Sequence, residues 1–450
     1  MKPAIGVDAG RARPISHREA RSVHRFRALD EWSPQLWIGC SFRVWLRILI
    51  HNHFAIHWSR WHIALLCTLV SIYHSVLALV QKLLFLNAKA AKTCIGEPPL
   101  FIVGHWRTGT TLVHELLTLD ERHTGPTSFQ CFRPHVFLLT ERFESNITWM
   151  FPAHRPMDNM DVRPHSPQEE EFAMCLLGQP SPYLTIAFPN RKPQYPEYLD
   201  LEGLTPSALK SWKEALFRFL QQVYYRRPKR LVLKGPLNSC RIKVLLELFP
   251  EAKFVHIVRD PYVVFPSTMH FWKSMSQLHG LQRVDFPGLE EHVLTMFSRL
   301  YGKLEQGRQL VDPSRFYEFR YEDLVRDPEE QLRRLYEHLR LGGFEEYWPL
   351  MRRYLAEHAD YKTNRYELTA EQRAMVTQRW GEVIRRYGYD QAVSPPPAPL
   401  SAVSIDGHCL DNVDAGGANS RRHGPQKAED ECSQPNEDHR GQRVLNHIDD

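Results

Sequence analysis

The chain has 450 residues, with 57 Lys and Arg against 52 Asp and Glu, a formal net charge of +5, 43% hydrophobic residues and 24% charged residues. That balance belongs to a folded protein able to bury one large core or two smaller ones. It excludes a generally basic nucleic-acid binder and leaves any anion-binding argument to local sites. The eight cysteines, Cys40, Cys67, Cys94, Cys131, Cys175, Cys240, Cys409 and Cys432, form no C-x-x-C pair and sit beside no His cluster at zinc spacing. They read as reduced thiols in a reducing compartment.

Residues 1–30 are polar and Arg-rich, without the apolar run of a cleavable signal peptide, and are expected to be disordered. Residues 31–97 read as an apolar helical region, with "FRVWLRILIHNHF" followed by "IALLCTLVSIYHSVLALV" at 63–80, 18 residues without a formal charge. Such a stretch approaches the length of a membrane span. Trp58 and Trp61 before it and Lys82 after it suit an interface, and its Thr68, Ser71, His74 and Ser75 suit a helix docked on a soluble domain. All three readings stay open, so the expected location is cytoplasmic, or membrane-associated on the cytoplasmic side.

Residues 98–390 read as an α/β, P-loop-like three-layer domain with a central, mostly parallel sheet. Leu100-Phe-Ile-Val103 is a short apolar run bounded by Pro and Gly, the pattern of a buried parallel strand. Gly104-His-Trp-Arg-Thr-Gly109-Thr110-Thr111 follows, and Leu112, Val113, Leu116 and Leu117 then recur at helical spacing. The loop has the spacing of a phosphate-binding P-loop, but Thr110 stands where the lysine belongs. Further on, Leu231–Leu233, a helical face from Ile242 to Phe249 and Phe254–Val258 make a βαβ crossover. A later strand is expected at Phe316–Phe319. The stretch 120–195, rich in Pro and aromatics, shows no periodicity and reads as an irregular insertion of the kind that shapes substrate sites. Beyond residue 391, "SPPPAP" opens a tail too polar to build a core, and 391–450 is expected to be disordered.

A glycine turn at a helix N-terminus binds phosphate or sulfate through converging N–H groups and the positive end of the helix dipole. The P-loop lysine serves the β- and γ-phosphates, so a ligand without a γ-phosphate has less need of it. Arg107 lies within the loop and offers a planar, permanent charge. A second anion motif follows the Phe254–Val258 strand: Arg259-Asp-Pro, with Ser267 on the next helix. Two separated anionic groups are therefore expected on one ligand, and a nucleoside 3′-phosphate 5′-phosphosulfate has them.

On "WRTGTTLVHELL", "LVLKGPLN", "LLELFPEAKF", "FVHIVRDPYVVFPSTM" and "YEDLVRDPEEQLRRLYEHL", the chain from about 98 to 390 resembles the sulfotransferases that use 3′-phosphoadenosine 5′-phosphosulfate, closer to the bacterial and carbohydrate-type branch than to the small cytosolic enzymes. The resemblance implies sulfuryl transfer from that co-substrate to a hydroxyl on a glycan, lipid or small molecule, with a membrane surface as a further partner and no nucleic acid. It implies that Arg107, Thr108, Gly109, Thr110 and Thr111 hold the phosphosulfate end and that Arg259 and Ser267 hold the 3′-phosphate. It puts Tyr321 near the adenine, Lys234 along the cofactor site, and Arg365, in "YKTNRYEL", within reach of the 3′-phosphate. No metal is expected, since basic side chains and N–H groups can neutralise the transferring group.

Transfer also needs a general base. Glu169, Glu170 and Glu171 in "PHSPQEEEF" are the first candidates, because adjacent carboxylates can raise one pKa toward neutrality. Consecutive positions cannot all face one site, so one or two are expected to act and the remainder to be solvated. His114, Glu115, His123, His165 and the "RPMDNMD" stretch are further candidates. Two other readings compete: a P-loop kinase or NTPase, and a membrane-associated binding protein with a degenerate nucleotide-binding domain.

Overall fold

The computed structural model describes residues 36–84, 86–144, 164–358 and 366–390. The expected disordered ends, the "RPMDNMD" stretch and Arg365 lie outside these residues.

Five strands, β1 (Leu100–Val103), β2 (His123–Thr124), β3 (Arg230–Lys234), β4 (Lys253–Val258) and β5 (Phe316–Arg320), form one sheet in the order β2-β3-β1-β4-β5. All four pairings are parallel. Successive side chains on a strand point to opposite faces, and here both faces are buried. Phe101, Val103, Leu231, Leu233, Phe254 and Val258 enter one core, whereas Leu100, Ile102, Val232, Val255 and Ile257 enter another. This is why β1 reads as a continuous apolar run and not as an alternation.

Helices cover each face and complete three layers. The first core takes Trp212 and Phe219 from the helix Pro206–Arg226, Val264 and Phe265 from Pro261–His279, Phe297 from Leu289–Arg308 and Trp380 from Ala370–Arg386. The second takes Val113 and Leu116 from Thr110–Thr118, Leu332 and Leu335 from Pro328–His338, and Phe344 and Tyr347 from Phe344–Glu357. The apolar N-terminal region supplies helices Phe42–His51, Trp61–Leu83 and Leu86–Ala91, and its Trp45, Ile63 and Cys67 join the first core.

The described parts of the stretch 120–195, residues 120–144 and 164–195, are more ordered than the sequence pattern suggests. They contain β2 and the short helices Ser128–Phe132, Phe137–Glu144 and Glu170–Leu176. These elements have two to eight residues, too few for a helical or strand period to emerge.

The sheet register fixes the site. Ile102 pairs with Lys234 on one side of β1, and Val103 pairs with His256 on the other. The loop leaving β1 therefore emerges between the end of β3, with Lys234, and the turn after β4, with Arg259. This carboxyl edge, where the strand order switches, is where open α/β sheets bind ligands.

Candidate active site

The turn from β1 into Thr110–Thr118 requires two glycines. Gly104 has φ +151° and Gly109 φ +101°. A Cβ on Gly104 would sit 2.7 Å from the Ile257 carbonyl oxygen, and one on Gly109 would sit 2.4 Å from Cδ2 of Tyr321. Arg107 also takes a positive φ, +70°, an uncommon state for a residue with a side chain. The first intrahelical bond runs from Val113 N–H to the Gly109 carbonyl, so Thr110, Thr111 and Leu112 have no intrahelical acceptor for their N–H groups, whereas in the turn before them the Thr108 N–H donates to the His105 carbonyl and the Gly104 N–H to Ser239 Oγ.

The two anion motifs meet. Arg107 Nε donates to Ser267 Oγ at 3.0 Å, and an Arg259 guanidinium N–H donates to the Arg107 carbonyl at 3.2 Å. The Arg259 guanidinium lies 4.1 Å from the centre of the Tyr321 ring, a cation–π distance, and that same ring fills the space beside Gly109. Arg107, Gly109, Arg259, Ser267 and Tyr321 thus form one cluster, with Tyr321 buried between the two motifs. Thr110 begins the helix and is buried, and Thr111 beside it is half-buried. The Thr108 hydroxyl donates to the His105 carbonyl at 2.8 Å, so it shapes the loop from within. Asp260, which a kinase-type reading would use to bind magnesium, instead accepts the Tyr262 N–H at 2.8 Å as an N-cap.

On the other side of the loop stand the three glutamates, all buried, so none is the solvated residue that the sequence pattern suggests. Their adjacency spreads them over three environments, because consecutive positions entering a helix diverge. Glu169 accepts from Lys234 Nζ at 2.6 Å and from the Tyr183 hydroxyl at 2.7 Å. That hydroxyl in turn accepts from Trp106 Nε1 at 2.9 Å, which ties the phosphate loop to the glutamate cluster. Lys234 is 2% exposed, which excludes a surface lysine. Glu171 pairs with the buried Arg241 and accepts from Ser181, a structural clamp.

Glu170 differs from both. Its Oε1 accepts from Asn238, while its Oε2 is buried without a hydrogen-bond partner. Burial pushes its pKa up from 4.5 to about 7; the Asn238 hydrogen bond opposes the rise, and Glu171 and Glu169 add to it.

The remaining base candidates are placed less well. His114 is buried with Nε2 3.2 Å from the Val232 carbonyl, and burial, aided by Lys234, lowers its pKa to about 3. Glu115 accepts from the Tyr354 hydroxyl. His123 Nδ1 lies 2.9 Å from the Leu117 carbonyl, and its ring packs beside Tyr336. His165 is exposed in a turn. Sequence reasoning missed Tyr183, Trp106, Ser181, Asn238 and Arg241. Trp106 and Asn238 stand inside the quoted motifs, but nothing near Tyr183 in sequence announces it.

A profile described as the sulfotransferase family matches residues 98–346. The chain belongs to the sulfotransferase family. Two relatives named omega-hydroxy-beta-dihydromenaquinone-9 sulfotransferase Stf3, from Mycobacterium bovis and Mycobacterium tuberculosis, are each 60% identical to it over 380 residues, 84% of this chain and 97% of theirs. The fold is shared with the crystal structures of STF9 from Mycobacterium avium (TM-score 0.54, 20% identity, 77% of this chain and 96% of that one) and STF1 from Mycobacterium tuberculosis (TM-score 0.51, 19% identity, 76% and 92%). The protein is therefore a sulfotransferase with a hydroxyl-bearing acceptor, and the kinase and scaffold readings fall away.

Proposed function

We propose that this sulfotransferase moves the sulfuryl group of 3′-phosphoadenosine 5′-phosphosulfate to a hydroxyl of an apolar, quinone-type lipid, with Glu170 as general base. The convergence of two anion motifs and a raised-pKa carboxylate on one sheet edge carries this reading. The glycine cradle packs so closely on the Ile257 carbonyl and the Tyr321 ring that a Cβ at Gly104 or Gly109 would force it apart. Its Gly109–Thr111 turn and Arg107 receive the phosphosulfate, Arg259 and Ser267 receive the 3′-phosphate, and Tyr321 backs both against the adenine side. Arg365 joins the 3′-phosphate from the late segment. The catalytic domain covers 98–390 and follows the apolar region.

In the transfer, the acceptor oxygen forms a bond to sulfur as its proton passes to Glu170. The bond from sulfur to the 5′-phosphate oxygen breaks, and the phosphate leaves with the electron pair. Arg107, Lys234 and the helix N-terminus stabilise the charge that develops there. Glu169 holds Lys234 in place and itself has both oxygens engaged, which is why the base role falls to its neighbour. A base with a pKa near 7 matches proton transfer at neutral pH far better than His114 at about 3. With an arginine in the loop and no γ-phosphate to hold, Thr110 in the lysine position is no defect.

The acceptor class rests on the two relatives, whose name states an omega-hydroxylated dihydromenaquinone. The enzyme meets such a lipid at the cytoplasmic face of a membrane. The test is single-turnover transfer from a labelled donor to an omega-hydroxy polyprenyl quinone, to the same lipid without the hydroxyl, and to a soluble sugar. Transfer to the hydroxy lipid alone is expected. Transfer to the sugar but not the lipid would overturn the acceptor class, and transfer from a different donor would overturn the site.

A further inference from the structure

We infer that the helix Trp61–Leu83 lies flat in the headgroup region of an anionic lipid bilayer, and that it neither crosses the membrane nor packs into another protein. The helix carries two opposed stripes. Ala64, Cys67, Ser71, His74 and Gln81 are buried on the domain. Trp61, Leu65, Leu69, Ile72, Val76, Leu79 and Leu83 recur every three or four residues and are 45–65% exposed. Over 23 residues that outer face is about 34 Å long.

The segment Trp58–Leu83, at 26 residues, is long and apolar enough to cross a membrane. The inner stripe argues against crossing. Thr68 Oγ1 accepts from Trp45 Nε1 at 2.9 Å, Ser75 Oγ from the Phe42 N–H at 2.9 Å and Gln81 Oε1 from the Leu139 N–H at 3.0 Å. A spanning helix would lose these partners and carry Ser71, His74 and Gln81 into hydrocarbon, where unsatisfied polar groups are costly. An in-plane helix keeps its inner stripe on the protein and gives only the outer one to lipid. The contacts of Phe42 with Ser75 and of Trp45 with Thr68 also show that the preceding helix runs antiparallel to it. That helix adds Phe42, Leu46 and Ile50, exposed at i, i+4 and i+8. Trp58 between the two is 80% exposed, and Trp is the residue that favours the interface.

Charge identifies the partner. From residue 36 to residue 96 the chain has Arg43, Arg47, Arg60, Lys82, Lys89 and Lys92 but no Asp or Glu, although the whole chain is nearly balanced. Among the described residues, none of these six cations is paired with a carboxylate; Arg47 and Arg60 reach only backbone carbonyls. Apolar stripes bordered by unneutralised cations complement an anionic bilayer. A second copy of this chain would bring the same charges against them.

The experiment uses the full chain and needs neither donor nor acceptor, so its failure is separable from failure of the proposed reaction. Co-sedimentation is measured with vesicles of phosphatidylcholine alone and of phosphatidylcholine with phosphatidylglycerol. Binding should be about tenfold or more tighter to the anionic vesicles and should weaken with salt. The variants are L65E/L69E/V76E, W58A/W61A and K82E/K89E/K92E, each checked for an unchanged thermal melt. Each should lower vesicle binding by about tenfold or more, and alkaline carbonate should release the wild type. Equal affinity for both vesicle types, wild-type binding by all folded variants, or resistance to carbonate would overturn the inference. So would a lipid-free dimer that L65E/L69E/V76E dissociates.

Discussion

Replacing Glu170 by Gln should lower the catalytic rate and remove one pH-dependent contribution to stability. The folded protein raises the Glu170 pKa from 4.5 to about 7, chiefly through burial, so the native state holds this proton more tightly than the unfolded chain does. The stabilisation is fully present below about pH 4.5 and is lost as pH rises through about 7. At about 1.4 kcal/mol per tenfold change in proton affinity, the wild type should lose about 2–3 kcal/mol relative to the glutamine variant between pH 5 and pH 8. Glutamine keeps the acceptor that faces Asn238 but places an amide where Oε2 has no partner, a constant penalty of about 1–3 kcal/mol. The absolute stability of the variant is therefore a small difference, and its pH dependence is the diagnostic quantity. Urea titrations of both proteins at the two pH values measure it, and single-turnover transfer measures the chemistry. The variant should lose about 10²-fold or more in rate while binding the 3′,5′-bisphosphate product as the wild type does. Parallel stability curves at both pH values would refute the raised pKa, and an unchanged rate would refute the base.

Wild-type transfer should rise with pH through about 7 and then level off, because Glu170 must be ionised to accept the proton; E170Q should show no such limb in a pH–rate profile. Arg107→Ala and Arg259→Ala should each weaken product binding by about 1.5–3 kcal/mol in calorimetry, and unchanged affinity in both would unseat the anion site. Gly109→Ala forces a Cβ against Tyr321 at a positive φ, so it should weaken product binding about tenfold or more and destabilise the fold by about 1–3 kcal/mol, read by the same calorimetry and a thermal melt. Glu171→Ala leaves Arg241 buried without its partner and should cost about 3–5 kcal/mol of stability, seen in denaturant titration. Any rate loss in that variant should recover at low temperature as it refolds.

The sheet and the two arginine-bearing turns at its edge were legible because they are written in local sequence. β1, β3 and β4 have apolar centres and β5 is rich in aromatics; their observed limits differ from the expected ones by no more than a residue at either end, and the motifs around Arg107 and Arg259 follow two of them directly. Strand order then brings the motifs together without further information. The glutamate cluster was not legible in that way. Glu169, Glu170 and Glu171 look equivalent in sequence, and only partners far along the chain distinguish them: Lys234, Asn238 and Arg241. Tyr183, the hinge of the network between Trp106 and Glu169, comes from a short 3-10 turn with no motif. For 63–80 the sequence supplied the hydrophobicity but not the burial stripe that distinguishes a docked helix from a span.

The central place of β1 in the sheet has a consequence for the order in which the protein is made. Phe101 is in register with Leu233 and with Phe254, so β1 has no neighbour until translation has passed β3 and lacks its second until translation has passed β4. At about 5–20 residues per second, the interval between completion of Leu83 and of Val258 is roughly 10–35 s. Once it has cleared the exit tunnel, the helix Trp61–Leu83 waits while much of the core that will receive Cys67 has yet to be synthesised. Both of its stripes are uncovered in the nascent chain. Helix formation takes microseconds or less, so a finished amphipathic helix precedes its own domain by many orders of magnitude in time. Chaperone capture and lipid adsorption therefore compete for this segment before the phosphate loop exists as a structure.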